Sequence, residues 1–507
     1  MKTVNTHHKP GAGSGALLRT LPLTLWKMFL FLGIALVLIL PSQQAKALTD
    51  LLLSEAGSTE SGESGDATVA APSDTAAETA EIPLLTIEEA IGTARESNRN
   101  LLMAEQAIEL ARAGGRSALA GYLPDLSLAY SYTRFAAAQT IDVPEIGSFE
   151  IQPADNFYAG LNFRYPIYKG GSREATERAS EADISIAELR REQAVALIDM
   201  GTIDAYCSAR EAFDNLAVRQ SSRNALQELE KQAQALYDAG YMPMSDLLSV
   251  QVARAAAEQQ VFESKNSIQT SQSALALAIG MDIGSQWTLA PVEYPIVEPP
   301  FLLETLTQWA MENRPELKEI QAQREKVLAQ IESIKATEGP NVDFQAQASR
   351  TGSSFGSVFD SGTTSISGTI SIWWDLYNFG RTDDLLGPLN AQLELIDIQE
   401  KEQREQIRSE VESAFLSLQN LYSSVQVAKE SVSQSEEALR VSRRRMEEGL
   451  AIMVEVLNAE ATWTGTGARV VFSTHAYYRV LAMLSRAAGM RFEDMIALIE
   501  ASGESDQ

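Results

Sequence analysis

Residues 237–248 read YDAGYMPMSDLL and residues 446–457 read MEEGLAIMVEVL, the same kind of break between long polar stretches, 209 positions apart. The offset persists without a gap: YPIYKGG (165–171) aligns with WDLYNFG (374–380), Gly240 with Gly449, and LALAIGM (275–281) with LSRAAGM (484–490). Upstream it becomes about 216, residues 96–134 matching 312–350, and the difference of seven is a longer loop in the first copy. The chain is therefore two tandem copies of one supersecondary unit. They span 84–283 and 301–492, with a Pro-rich linker at 284–300 and a tail at 493–507.

Each copy repeats one internal order. A helix is expected first, over 86–120 and 301–337, and two segments of strict alternation follow. These are LSLAYSY (126–132) and FYAGLNFRYPI (157–167) in copy one, VDFQAQA (342–348) and SISGTISIWWDL (365–376) in copy two. Phe157, Ala159, Leu161, Phe163, Tyr165 and Ile167 form one apolar face, and Ile366, Gly368, Ile370, Ile372, Trp374 and Leu376 another. Period two means strands with one apolar and one polar side.

Very long helices come next. Ile407, Val411, Ala414, Leu418, Leu421, Val425, Ala428, Val432, Ser435, Leu439, Ser442 and Met446 step by four and three throughout, a coiled-coil seam. The seam in copy one (Ile198, Thr202, Ala205, Ala209, Ala212, Leu216) uses smaller residues and loses its pattern near Arg219. A continuous helix over 172–238 would run ~100 Å at ~1.5 Å per residue.

Two strands per copy give four per chain, and the smallest single-chain membrane barrels need about eight. Left open, such strands expose unpaired edges and an apolar face, so closure demands several chains. An exported protein with lipid-facing strands points to an outer membrane. Tyr130, Tyr132, Phe157, Tyr158, Tyr165, Tyr168, Trp373, Trp374 and Tyr377 near the strand ends suit interfacial girdles, although packing within a soluble sheet is the alternative. Gly240 and Gly449 then sit at the far tips of helical hairpins, where they let the chain reverse.

The first 47 residues carry basic residues and no acid, then the apolar run MFLFLGIALVLIL (28–40), then AKA (45–47). That order is a signal peptide, 1–47, cleaved after Ala47; the alternative of an uncleaved anchor needs about 20 apolar residues. Its removal takes away five basic residues and moves the formal charge from −27 to −32, which argues against nucleic acid as a partner. Residues 48–83 are a Ser-, Ala-, Gly- and acid-rich leader expected to be disordered. Cys207 is the one cysteine, so no intramolecular disulfide can form, and it reads as a small apolar helix residue.

Enzyme chemistry has little to stand on. After the signal is removed His475 is the one histidine, placed within a helix and read as structural. Neither H-E-x-x-H, G-x-S-x-G nor a phosphate-binding G-x-x-x-x-G-K-[ST] occurs, and GTGARV (465–470) lacks the third glycine of a dinucleotide loop. No enzyme, no cofactor and no metal site is expected.

With the duplication, PIYKGG at a strand-to-helix junction and G-x5-[DE]-[VL]-L at a hairpin tip occurring twice, the chain resembles TolC-type outer-membrane efflux proteins over nearly all of 84–492. The resemblance implies a mixed α/β membrane protein that trimerises. Its twelve strands would close one β-barrel, continued by a periplasmic α-helical barrel. It further implies a passive duct through the outer membrane of a Gram-negative bacterium, opened by a periplasmic adaptor protein coupled to an inner-membrane pump or ABC transporter. Drugs, metals, polysaccharide or secreted protein are the candidate cargoes. The family's acidic constriction after the second-copy glycine falls on Glu455, with Asp246 as a further carboxylate from the first tip. A second family acid falls on Asn458 and a family arginine on Ala451, departures that speak against a double acidic ring and an Arg-held latch.

A ring of Glu455 carboxylates in a narrow lumen would repel anions and attract cations. The alternative for both acids is a solvated carboxylate at a helix start, favoured by the dipole. Tyr241, Met242, Met244, Leu450, Ile452 and Met453 are candidates for an adaptor-docking surface, packing within the hairpin ends being the competing use. The run Arg443, Arg444, Arg445 reads as a solvated helix end. Pro166, Gly170, Gly171 and Gly380 mark the strand-to-helix junctions. The rival from another class is a secreted coiled-coil scaffold or adhesin without a pore, which has no need of four lipid-facing strands.

Overall fold

The computed structural model describes residues 84–285 and 287–504, so the expected signal peptide and acidic leader lie outside it. Copy one opens with a two-residue strand β1 (Leu84–Leu85), then α1 (Ile87–Ser97) and α2 (Arg99–Ala120). Strands β2 (Asp125–Arg134), β3 (Gln139–Val143), β4 (Gly147–Gln152) and β5 (Asp155–Lys169) lead into α3 (Ser172–Asp238) and α4 (Met244–Ala278). After β6 (Thr288–Leu289), copy two gives α5 (Leu303–Asn313), α6 (Pro315–Lys335), β7 (Asn341–Gly352), the single turn α7 (Ser357–Asp360) and β8 (Thr363–Trp373). It closes with α8 (Arg381–Glu447), α9 (Met453–Ala487) and α10 (Phe492–Glu504). The duplication is exact in the long elements: α3 and α8 both have 67 residues, α4 and α9 both 35.

The four long strands form one antiparallel sheet in the order β2-β5-β7-β8, so the β5–β7 pairing joins the copies. Its register lines up one row after another of like character. Leu128, Leu161, Ala348 and Ile366 stand abreast, as do Leu126, Phe163, Ala346 and Gly368, on the apolar face. Ser127, Asn162, Gln347 and Ser367 stand abreast on the other. Among the described residues β2 and β8 have no further partner strand, and Leu126, Leu128, Ile366, Ile370 and Ile372 are exposed. Trp374 and Leu376, expected to extend β8, lie past its end, where the Trp374 indole donates to the Glu338 carbonyl at 2.7 Å.

Three expectations need correction. The opening helix of each copy is two helices, broken at Asn98 and at Arg314, positions 216 apart. Asn98 is extended (ψ 124°) and its side chain caps Asn100 N–H at 2.9 Å. Arg314 precedes Pro315, whose ring disfavours helical ψ in the residue before it. The longer loop of copy one is not plain loop but the hairpin β3–β4. The copy-one seam does not stop near Arg219: burial resumes at Ser222, Leu226, Leu229 and Ala233, with a polar residue at the point where periodicity is hard to see.

The main core surrounds the middles of α3 and α8 and the C-terminal part of α9, where α1, α5 and α10 pack around them. The linker is stitched onto this core by buried tyrosines. Tyr206 donates to the Leu85 and Ala290 carbonyls at 2.9 Å each, Tyr477 to Val297 at 2.9 Å and Tyr478 to Tyr294 at 2.7 Å. Burial pushes the Tyr477 and Tyr478 hydroxyls up to about 12, so they stay neutral donors. Cys207 is fully buried here, its thiol likewise pushed up to about 12 by burial, an inert packing group.

Candidate gate and hairpin tips

Both tips reverse by one motif. At Gly240 (φ +81°) the Tyr241 amide donates to Leu236 at 2.8 Å and the Gly240 amide to Tyr237 at 2.9 Å. At Gly449 (φ +72°) Leu450 donates to Arg445 at 2.7 Å and Gly449 to Met446 at 2.9 Å. These are Schellman caps, which satisfy the last helical carbonyls and need a left-handed residue. The following helices then start from extended residues, Pro243 (ψ 150°) and Ile452 (ψ 156°).

The side chains on the two turns diverge. Tyr241, Met244, Leu450 and Ile452 point into solvent, Tyr241 being 84% exposed. Met453 does not: it is 2% exposed in the tip core with Leu229, Leu247, Val250 and Val456, and Met242 packs against the same cluster. Met453 is therefore corrected from docking surface to tip core. Its equivalent Met244 is 49% exposed.

Glu455 lies in the first turn of α9 and Asp246 in the first turn of α4, equivalent positions at the positive ends of their helices. Asp246 accepts from the Ser245 hydroxyl at 3.3 Å. Glu455 is paired: Arg445 reaches across the turn to its carboxylate at 3.5 Å and donates to the Leu450 carbonyl at 3.2 Å. An arginine thus stands beside the acid, supplied from four residues before the glycine. The signal in the sequence was the RRR run, whose i to i+10 reach across a turn has no helical periodicity to reveal it.

At the barrel-side junctions Gly171 (φ +94°) and Gly380 (φ +81°) cap α3 and α8. Gly170 (φ +64°) lies so close to the Ala336 carbonyl that a Cβ would come within 2.2 Å of its oxygen. Pro166 sits where the β5–β7 register slips, a place that tolerates a missing amide. Just below, Asp343 on β7 is buried with Lys169 at 3.0 Å and Arg164 at 3.4 Å.

Away from the tips, several charged groups are held in pairs. His475 Nε2 lies 2.8 Å from Asp214, which also takes two hydrogen bonds from Arg210. Burial pushes the Asp214 carboxyl up, but the bonds from His475 and Arg210 outweigh it and hold it below the usual range. A cleft of about 770 Å³ is lined by Asp199, Arg314, Glu316, Glu410 and Arg486, all engaged in ion pairs. Among the described residues no group of three His, Cys, Asp or Glu could hold a metal ion, and no helix is long and apolar enough to cross a membrane.

Comparison with known proteins accords with this geometry. CyaE of Bordetella pertussis is 24% identical over 389 residues, covering 74% of this chain and 79% of that protein. The outer membrane protein VceC of Vibrio cholerae shares the fold with a TM-score of 0.66 at 21% identity, over 80% of this chain and 96% of VceC. The open-state outer membrane channel MtrE of Neisseria gonorrhoeae gives 0.66 at 18%, over 80% and 89%. The sequence model of outer membrane efflux proteins matches residues 90–281 and 306–490, and the chain belongs to that family.

Proposed function

We propose that the protein is the outer-membrane duct of a tripartite export system. Three copies close their sheets into a twelve-stranded barrel, and the helices continue it as a periplasmic tunnel whose tips are opened by an adaptor protein coupled to an inner-membrane pump. The observation that carries this reading is the sheet: four strands with an apolar face exposed on the outer strands and half-buried on the inner ones, a polar opposite face and both edges unpaired among the described residues. An apolar outside and a polar inside suit lipid and lumen, and the open edges are what neighbouring copies would pair. A pore-free scaffold gives no account of that face.

At the tips, Glu455 and Asp246 line the constriction, with Arg445 tempering the charge of Glu455. The exposed Tyr241, Met244, Leu450 and Ile452 form the surface that the adaptor grips. The Arg445–Glu455 pair is half exposed on both sides and contributes ~0.2–1 kcal/mol, so it tunes charge more than it holds the tip shut.

The test is planar-bilayer conductance of the detergent-purified protein. A small cation-preferring conductance should lose preference in Glu455→Gln and gain it in Arg445→Ala, since one variant removes a negative charge and the other a positive one. Conductance unchanged by both places the constriction elsewhere; reproducible silence from a folded oligomer refutes the duct.

A further inference from the structure

The duplication supplies a template for contact between copies of the chain. Inside one chain, α6 of copy two lies against α3 of copy one, beside the β5–β7 pairing. Arg190 pairs with Glu319 at 2.8 Å, Lys326 with Asp183 at 2.7 Å and Arg178 with Glu332, and the Thr176 and Ser333 hydroxyls stand 3.4 Å apart. Glu319, Lys326 and Ser333 fall with Ala322 and Ala329 on one stripe of α6, spaced by three and four and buried or half-buried throughout. On α3 the corresponding stripe is Ala175, Ala182, Ile186, Leu189 and Gln193, buried or half-buried as well.

Both helices have an equivalent whose stripe is uncovered. An offset of 216 carries α2 onto α6, and one of 209 carries α3 onto α8. The α2 stripe, Met103, Gln106, Leu110, Ala113 and Ser117, is exposed at every position, as is the α8 stripe, Asp384, Ala391, Leu395, Ile398 and Glu402. Leu110 is 75% exposed, and Leu395 is 58% exposed where its equivalent Ile186 is 6%. A lone exposed leucine is ordinary; two whole stripes, equivalent to two that meet, are not. The sheet edges agree, since β8 leads into α8 and β2 follows α2 as β5 leads into α3 and β7 follows α6.

From this equivalence we infer that α2 of one copy packs against α8 of the next as α6 packs against α3 within the chain, through a seam that is largely apolar where the internal one is ion-paired. The inference rests on the duct reading, which makes β8 and β2 neighbours. Lys326 shares a groove with Asp183 and Ile186, so Leu110 comes to lie beside Gln392 and Leu395 of the next copy, and Ser117 beside Leu385. Among the charged groups of the internal pairs only Glu332 has a charged equivalent, Arg116; Met103, Leu110, Gly387, Gln392 and Gln399 replace the others. The internal seam keeps its charges satisfied, whereas the outer one gains only when a second copy takes its leucines out of water.

The test is disulfide trapping in outer-membrane preparations, in a Cys207→Ala background. Ser117→Cys/Leu385→Cys takes its spacing from Thr176 and Ser333, and Tyr132→Cys/Ile370→Cys probes the barrel edge as the equivalent of the Ala348–Leu161 pair. On oxidation the helix pair should convert most of the monomer band into covalent dimers and trimers on a denaturing gel, while each single cysteine leaves it monomeric. Bonds at the barrel edge without bonds in the helix pair overturn the α2–α8 seam and leave the duct standing. Bonds at neither place bring down the duct reading, and the seam with it. Leu110→Lys should lower the temperature at which the trimer dissociates, and Gln392→Asp added to it, rebuilding the Lys326–Asp183 pair between copies, should recover the loss. No loss from Leu110→Lys refutes the burial of Leu110, and a loss that Gln392→Asp leaves unrecovered refutes the register.

Discussion

Consider replacing each junction glycine by alanine. Gly170 and Gly171 are neighbours, both at positive φ (+64° and +94°), and both would place an L-residue in left-handed space at a cost of ~1–2 kcal/mol. There the likeness ends. A Cβ at Gly171 meets nothing within 4 Å, whereas one at Gly170 would be 2.2 Å from the Ala336 carbonyl oxygen and 3.2 Å from its carbon. That oxygen belongs to backbone and cannot rotate away, so the end of β5 must separate from the turn before β7 by about an ångström. Forced repacking of this kind adds ~1–3 kcal/mol, giving ~2–5 kcal/mol for Gly170→Ala against ~1–2 for Gly171→Ala. Gly380→Ala, also unobstructed at φ +81°, should behave like Gly171→Ala. The assay is the temperature at which the detergent-purified oligomer loses helical circular dichroism, taken at one heating rate. Equal losses at 170 and 171 would refute the claim that close approach, rather than backbone conformation alone, fixes the glycine at 170.

Met453→Ala should destabilise the tip by ~2–5 kcal/mol while Met244→Ala, at the equivalent but exposed position, costs under ~0.5 kcal/mol, read as protease susceptibility of the two hairpin ends. Arg314 is 2% exposed and holds Glu316 and Glu410 at 2.6 and 2.5 Å, so Arg314→Ala takes the main partner from two partly buried carboxylates, at ~3–5 kcal/mol. Burial pushes both carboxyls up, but the Arg314 hydrogen bonds prevail and hold both below the usual range. Groups with depressed folded pKa values stabilise above the unfolded value and lose that contribution as pH falls through the folded one. Thermal stability should therefore hold at neutral pH and drop below about pH 4, with the drop flattened in Arg314→Ala.

Repetition and period carried the sequence reading furthest. The 209-residue offset anticipates paired helices of equal length, and strict alternation locates all four sheet strands to within a few residues. What stayed hidden depends on contacts between distant residues. The breaks at Asn98 and Arg314 arise from a side-chain cap and an X-Pro constraint inside otherwise helical patterns. The β3–β4 hairpin has five- and six-residue strands without a core of their own. In the candidate site, Gly240, Gly449, Gly171 and Gly380 were readable because left-handed caps have a residue signature. Arg445 was not, because a clamp across a turn has none, and Met453 looked like surface because a methionine beside a turn carries no mark of which way it packs.

The two copies keep one backbone and assign it different tasks. Their turns share a hydrogen-bond pattern, yet Met244 is exposed where Met453 is buried, and Ala256 stands where Gly465 does. Among the described residues no arginine pairs with Asp246, whereas Arg445 lies 3.5 Å from Glu455; the residue equivalent to Arg445 in copy one is Leu236. The second tip buries its methionine in the tip core and holds its first-turn acid beside an arginine, whereas the first leaves the equivalent methionine exposed and its acid beside a serine hydroxyl. The same break made twice thus gives one geometry for reversing the chain, and the side chains around it give the two reversals different surfaces and different charge.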